Sequence, residues 1–83
     1  MRPEDMRELL NKRPFAPFRI HMTDGQAFEI RHPDNVLVLR TRVVVGVPSD
    51  TSTGFPDRAE HCSLLHVVRI EELQGTPKVN GSE

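Results

Sequence analysis

Four histidines (His21, His32, His61 and His66), one cysteine (Cys62) and a neighbouring carboxylate pair (Glu71 and Glu72) are the residues of this chain with chemistry to offer. They could bind a metal, attack an electrophile or move a proton. Their spacing argues against each use. His61 and Cys62 are adjacent, and adjacent side chains on a strand leave by opposite faces, so they cannot share an ion without distortion. His21 and His32 fall on opposite faces of the hairpin derived below. No pair has the His-Glu-x-x-His spacing that sets two imidazoles on one helix face. The histidines are therefore expected to be solvated or at the core edge, with no metal site. Cys62 beside a histidine is a generic pattern, and a buried structural thiol is the expected role. Glu71 and Glu72 split across two faces instead of forming a dyad. The chain has no Gly-rich phosphate loop, and a domain this small has little room for a deep pocket. No catalytic residue, cofactor or metal is expected.

Arginine is the remaining option. Arg19, Arg31, Arg40 and Arg42 fall on or between the first four predicted strands, with Arg58 and Arg69 further along. Arg19 and Arg31 lie on the solvent side of adjacent strands and could line up as a phosphate-binding stripe. Glu29, diagonal to Arg19, could instead join them in a charge ladder. The ladder is the preferred reading. Nine arginines against two lysines suit bidentate anion contacts, but a G/C-rich genome gives the same bias.

The element that must position these residues is a β-hairpin from Phe18 to Ile30. Phe18, Ile20 and Met22 alternate with Arg19, His21 and Thr23; after the turn, Phe28 and Ile30 alternate with Glu29 and Arg31. Facing residues must share a side of the sheet. A two-residue turn at Asp24-Gly25 would pair Ile20 with Glu29 and set a carboxylate in the apolar face. A three-residue loop, Thr23-Asp24-Gly25, pairs Met22 with Gln26, Ile20 with Phe28 and Phe18 with Ile30. That loop is a type I turn closed by a left-handed glycine in a bulge, which Gly25 supplies.

Pro3 to Leu10 reads as a short helix. Pro3 suits its first turn, Glu4 and Asp5 its positive end, and Lys12 and Arg13 its negative end. Met6, Leu9 and Leu10 form a narrow apolar stripe that must lie on a sheet, because so short a helix does not stand alone. Pro14 to Pro17 is extended, with Phe15 pinning it to the core. His32 to Asn35 breaks or bends the second strand. Val36–Leu39 and Val43–Val47 follow as strands that are apolar on consecutive positions, which requires cover on both faces. The helix or another protein chain must supply the outer cover. Pro48 to Glu60 is a long polar loop in which Phe55 is expected to dock on the body. Leu64-Leu65-His66 is a sharp corner before a last strand from Val67. Residues 75–83 are predicted to be a disordered tail after one domain over residues 1–74.

At 83 residues there is room for one modest core. Eleven basic residues against 12 acidic ones give a formal charge of −1, so any nucleic-acid role needs a local patch. A lone cysteine excludes an internal disulfide framework and every multi-cysteine zinc motif. Met1 to Lys12 is dense in charge, unlike a signal peptide, and no apolar run approaches the ~20 residues of a membrane span. A cytoplasmic protein with no membrane partner is expected.

The stretch Phe18 to Leu39 resembles the first conserved motif of the Sm-like (LSm and Hfq) family. An alternating strand, the Asp24-Gly25 turn and a bent second strand lead to Asn35 followed by Val36-Leu37-Val38. The resemblance implies a small barrel that assembles into rings of six or seven and holds uridine-rich RNA. Asn35 would be its base contact, with His32 in the same loop and His66 at the facing corner. Two departures bear on function. The family's base-stacking position falls on Pro33, with His32 one place off, and its Arg-Gly pair before the last strand is replaced by Leu64-Leu65-His66. The candidate RNA contacts are thus His32, Asn35, His66, Arg19 and Arg31.

The sequence therefore predicts a mainly β fold, a small SH3-like or Sm-like barrel of about five antiparallel strands with one short N-terminal helix. Its expected function is a non-catalytic, self-associating interaction module. A homo-oligomer is the expected partner state, and an Sm-like RNA-binding regulator is the alternative.

Overall fold

A computed structural model describes residues 1–48 and 55–73. Helix α1 (Pro3–Asn11) opens the chain. Strands β1 (Phe18–Met22), β2 (Ala27–Ile30), β3 (Val36–Val38), β4 (Arg42–Val47), β5 (Arg58–Ser63) and β6 (Val67–Glu72) follow. Two 3₁₀ turns interrupt them: Pro33–Asn35 stands where the second strand was expected to bend, and Leu64–His66 is the predicted corner. The strands form two three-stranded antiparallel sheets, in orders β2-β1-β6 and β3-β4-β5. This corrects the single barrel of about five strands: among the described residues there are six strands in two sheets, not a closed barrel. The extra strand is β5. Its start at Arg58 was hidden in the polar run assigned to the long loop, because Arg58-Ala59-Glu60-His61 carries no apolar alternation.

The hairpin register is the expected one. Phe18 pairs with Ile30 and Ile20 with Phe28. The Met22 amide donates to the Gln26 carbonyl at 2.9 Å, and Gly25 has φ +89°. Asp24 secures the turn by accepting from the Gln26 amide at 3.0 Å. The expected parity of faces holds too. Phe18, Ile20 and Ile30 are buried, while Arg19, Glu29 and Arg31 lie outside.

One core joins α1 to both sheets. Met6 and Leu10 of α1 meet Phe18, Ile20 and Ile30 from one sheet and Val43, Val45 and Cys62 from the other. Burying each helix side chain stabilises by about 1.5–3 kcal/mol, which holds a nine-residue helix that would not form alone. Lys12 and Arg13 lie just past the helix end, and Arg13 Nη1 donates to the Leu10 and Lys12 carbonyls at 3.0 and 2.7 Å. Phe15 packs on Phe18 with ring centroids 6.0 Å apart, pinning the linker as expected. The helix enters the core and does not cover the outer face of the second sheet, where Leu37 stays 60% exposed opposite Val44. Met1 extends the seam: its ammonium donates to the Leu64 carbonyl at 3.1 Å. No helix among the described residues is long and apolar enough to cross a membrane. The predicted tail, residues 75–83, lies outside the described residues, as do residues 49–54 of the predicted loop.

Candidate functional site

Two surfaces gather the residues singled out by the sequence. The first is the outer face of the β2-β1-β6 sheet. Arg19 stands in the middle, directly opposite Glu29 on β2 and Glu71 on β6. Its guanidinium reaches Glu29 at 2.6 Å and Glu71 at 3.2 Å. Glu29 faces Arg19 squarely, a correction to the diagonal placement expected from the sequence. Arg31 Nε also contacts Glu29, at 3.2 Å, and His21 Nε2 lies 2.8 Å from Glu71. The ladder reading therefore holds for Arg19 and Arg31. Electrostatics follow the geometry. The hydrogen bond from Arg19 holds the Glu29 carboxyl below its ordinary range, and the one to His21 does the same for Glu71. Arg19 is pushed up in turn, chiefly by its bond to Glu29. Each pair is partly solvated, so its worth is small and salt-sensitive.

The second surface is a cleft of about 580 Å³ between the free side of β2 and the far end of β4 and β5. Phe28, Arg31 and His32 line one wall, Asn35 the end, and Val47 and Arg58 the other wall. A volume of this size falls within the range of small-ligand sites. Phe28 is half-buried here, not sealed in the core, because its ring forms part of the cleft. Arg58 is paired with Glu60 at 3.0 Å, both partly exposed.

The candidate RNA contacts are thus split among three places. Arg31, His32 and Asn35 share the cleft. Arg19 is in the charge ladder. His66 stands at the other end of the sheet, where its carbonyl accepts from the Thr23 amide at the hairpin tip. Four residues of β2 separate that tip from Arg31, roughly 13 Å of strand.

The remaining chemistry is dispersed. Cys62 is buried and His61 exposed, on opposite faces as expected. Burial pushes the Cys62 thiol up, which disfavours the nucleophilic thiolate. Glu71 belongs to Arg19 and His21, whereas Glu72 reaches Lys12 of the helix end at 3.6 Å. Among the described residues no three His, Cys, Asp or Glu side chains gather to hold a metal. Sequence reasoning missed the Arg19–Glu71–His21 group and the Arg58 wall. Both depend on pairings between segments far apart in the chain. The one available signal was the Arg69-x-Glu71 alternation, which places both side chains on the face that β1 shares. No protein-family model, curated protein or solved structure matches the chain.

Proposed function

We propose that this protein is a non-catalytic, cytoplasmic interaction module that self-associates. One observation carries the reading: the outer face of the β3-β4-β5 sheet, which the helix leaves uncovered, exposes an apolar patch of Leu37, Leu39 and Val44 beside Arg42, His61 and Ser63. Leu37 is 60% exposed and pairs with half-buried Val44; Leu39 is also exposed. Val68 on β6, 59% exposed, adds a second apolar spot on a strand that pairs on one side only among the described residues. Edges and apolar faces of this kind invite a second chain. Size-exclusion chromatography with light scattering tests it. An assembly is expected at high micromolar concentration, reduced to monomer by Val44→Lys or Leu37→Lys. Val45→Lys is no substitute, since Val45 is 1% exposed and its replacement unfolds the core. A monomer at that concentration refutes self-association. A hexamer or heptamer favours the ring-forming comparison.

The RNA regulator ranks second. His32 and Asn35 do share a cleft, but Arg19 and Arg31 already hold carboxylates and His66 stands elsewhere. Weak or no binding of a short oligouridine at physiological salt is expected by fluorescence anisotropy. Submicromolar, salt-sensitive binding that is lost in Asn35→Ala reverses the ranking.

A further inference from the structure

β2 is an edge strand facing a cleft, and its register decides which backbone groups face that cleft. In an antiparallel pair, hydrogen-bonded and non-hydrogen-bonded positions alternate. The Met22 amide bonds to the Gln26 carbonyl, so Ile20–Phe28 and Phe18–Ile30 are the next hydrogen-bonded pairs. The amides and carbonyls of Ala27, Glu29 and Arg31 then point away from β1, into the cleft. Among the described residues no strand pairs with β2 on that side. Six backbone groups, an amide and a carbonyl from each of three alternate residues, are thus presented beside a wall that carries Val47 and Arg58.

We infer that this cleft binds an extended peptide segment as an added strand on β2, one that alternates apolar and acidic side chains. The proposal concerns a different surface from the self-associating face and goes beyond that reading. Alternation follows from the two sides of the cleft. Side chains of the added strand that turn inward meet Phe28 and Val47, an apolar floor. Those that turn outward lie beside Arg31. Charge favours a carboxylate there. Of the two guanidinium groups in the lining, Arg58 is paired with Glu60 at 3.0 Å. The carboxylate beside Arg31, Glu29, is held more closely by Arg19 (2.6 Å) than by Arg31 (3.2 Å), which leaves Arg31 the less engaged cation. Gln26 to His32 spans roughly 20 Å, the length of a six-residue strand. Backbone pairing would supply affinity and alternate side chains selectivity, as in other strand-addition sites. A nucleic acid fits less well, because its phosphates supply acceptors but no donors for the outward carbonyls of Ala27, Glu29 and Arg31.

The probe is a fluorescein-labelled hexapeptide alternating valine and aspartate, titrated into the full chain by anisotropy and by amide resonance. Saturable binding is expected, with shifts at residues 26–32 and slowed amide exchange at Ala27, Glu29 and Arg31. Methylating alternate peptide nitrogens on the side that pairs with β2 should weaken binding about tenfold or more, since the partner donors are lost. Ala27→Pro removes an outward donor while sparing the β1 ladder, as edge prolines do, and should weaken binding similarly. Arg31→Glu, at an exposed position that leaves the core intact, should cost several-fold; it keeps the test decisive if the proline variant does not fold. Three results overturn the proposal: no saturation at millimolar peptide, equal binding of the methylated peptide, or shifts confined to another surface. Oligouridine that shifts the same amides while the peptide does not also overturns it, in favour of a nucleic acid. Light scattering on the same samples separates the two readings, because a monomer that binds the peptide sinks self-association alone.

Discussion

Replacing Gly25 by alanine isolates one term in the stability of the hairpin. Gly25 sits at φ +89°, and a Cβ built there meets nothing within 4 Å. No packing is gained or lost, so the change is confined to the backbone. Holding an L-residue in the left-handed region costs about 1–2 kcal/mol. Alanine also stiffens the unfolded chain, which returns about 0.4–1 kcal/mol. The net expectation is destabilisation of about 1 kcal/mol, or about 4–8 °C in Tm for a domain of this length. Urea denaturation followed by circular dichroism reads it as a lowered midpoint with an unchanged slope. All variants must be compared at one protein concentration, because self-association would couple stability to it. Gly25→Asn should fall between the two, as asparagine tolerates positive φ better than alanine. A midpoint for Gly25→Ala equal to or above that of the native chain would mean the loop holds no left-handed residue. The bulge, and with it the Met22–Gln26 register, would then be wrong.

Three further outcomes follow from contacts elsewhere. Ile20→Ala should cost about 2–5 kcal/mol, because Ile20 is fully buried, and Phe28→Ala distinctly less, because its ring is half-open to the cleft; denaturation midpoints in the reverse order would refute the assigned burial. Gly46→Ala should destabilise by about 1–3 kcal/mol, since the new Cβ would lie 2.9 Å from the Pro56 Cβ, a ring that cannot rotate away; unchanged stability would show Pro56 free to retreat. Glu29 and Glu71 are held below the ordinary carboxylate range in the folded state, so the unfolded chain binds more protons in acid and stability rises with pH there. Their contribution is complete above the unfolded carboxylate pKa and is lost as pH falls through the lowered folded values. Urea midpoints across a pH series should show a shallower acid slope in Glu71→Gln and at high salt, and an unaltered slope would remove the ladder from the account.

Local rules settled the elements whose partners lie close in sequence. The hairpin is the clearest case. Alternation fixes which of Phe18, Arg19 and Ile20 face inward, and a charge in the apolar face is costly enough to choose the loop length. The helix over Pro3–Asn11, the turn at Pro33–Asn35 and the corner at Leu64–His66 were legible from prolines, charges and apolar spacing for the same reason. Strand β5 was not, because its residues are mostly polar and its position comes from pairing with β4 across a long connection. The candidate site divides the same way. Arg19, Glu29 and Arg31 belong to one hairpin, so their ladder could be anticipated from its register. Glu71 reaches Arg19 across a separation of 52 residues, and Arg58 faces Arg31 across a cleft between two sheets. The sequence also required cover for both sides of Val43–Val47, but only packing decided that Met6 and Leu10 serve the inner side and leave Leu37 and Val44 outside. Side-chain periodicity determines faces and turns because it acts over a few residues. Which sheets meet, and which edges stay open, depends on the sum of many weak long-range contacts that no single segment encodes.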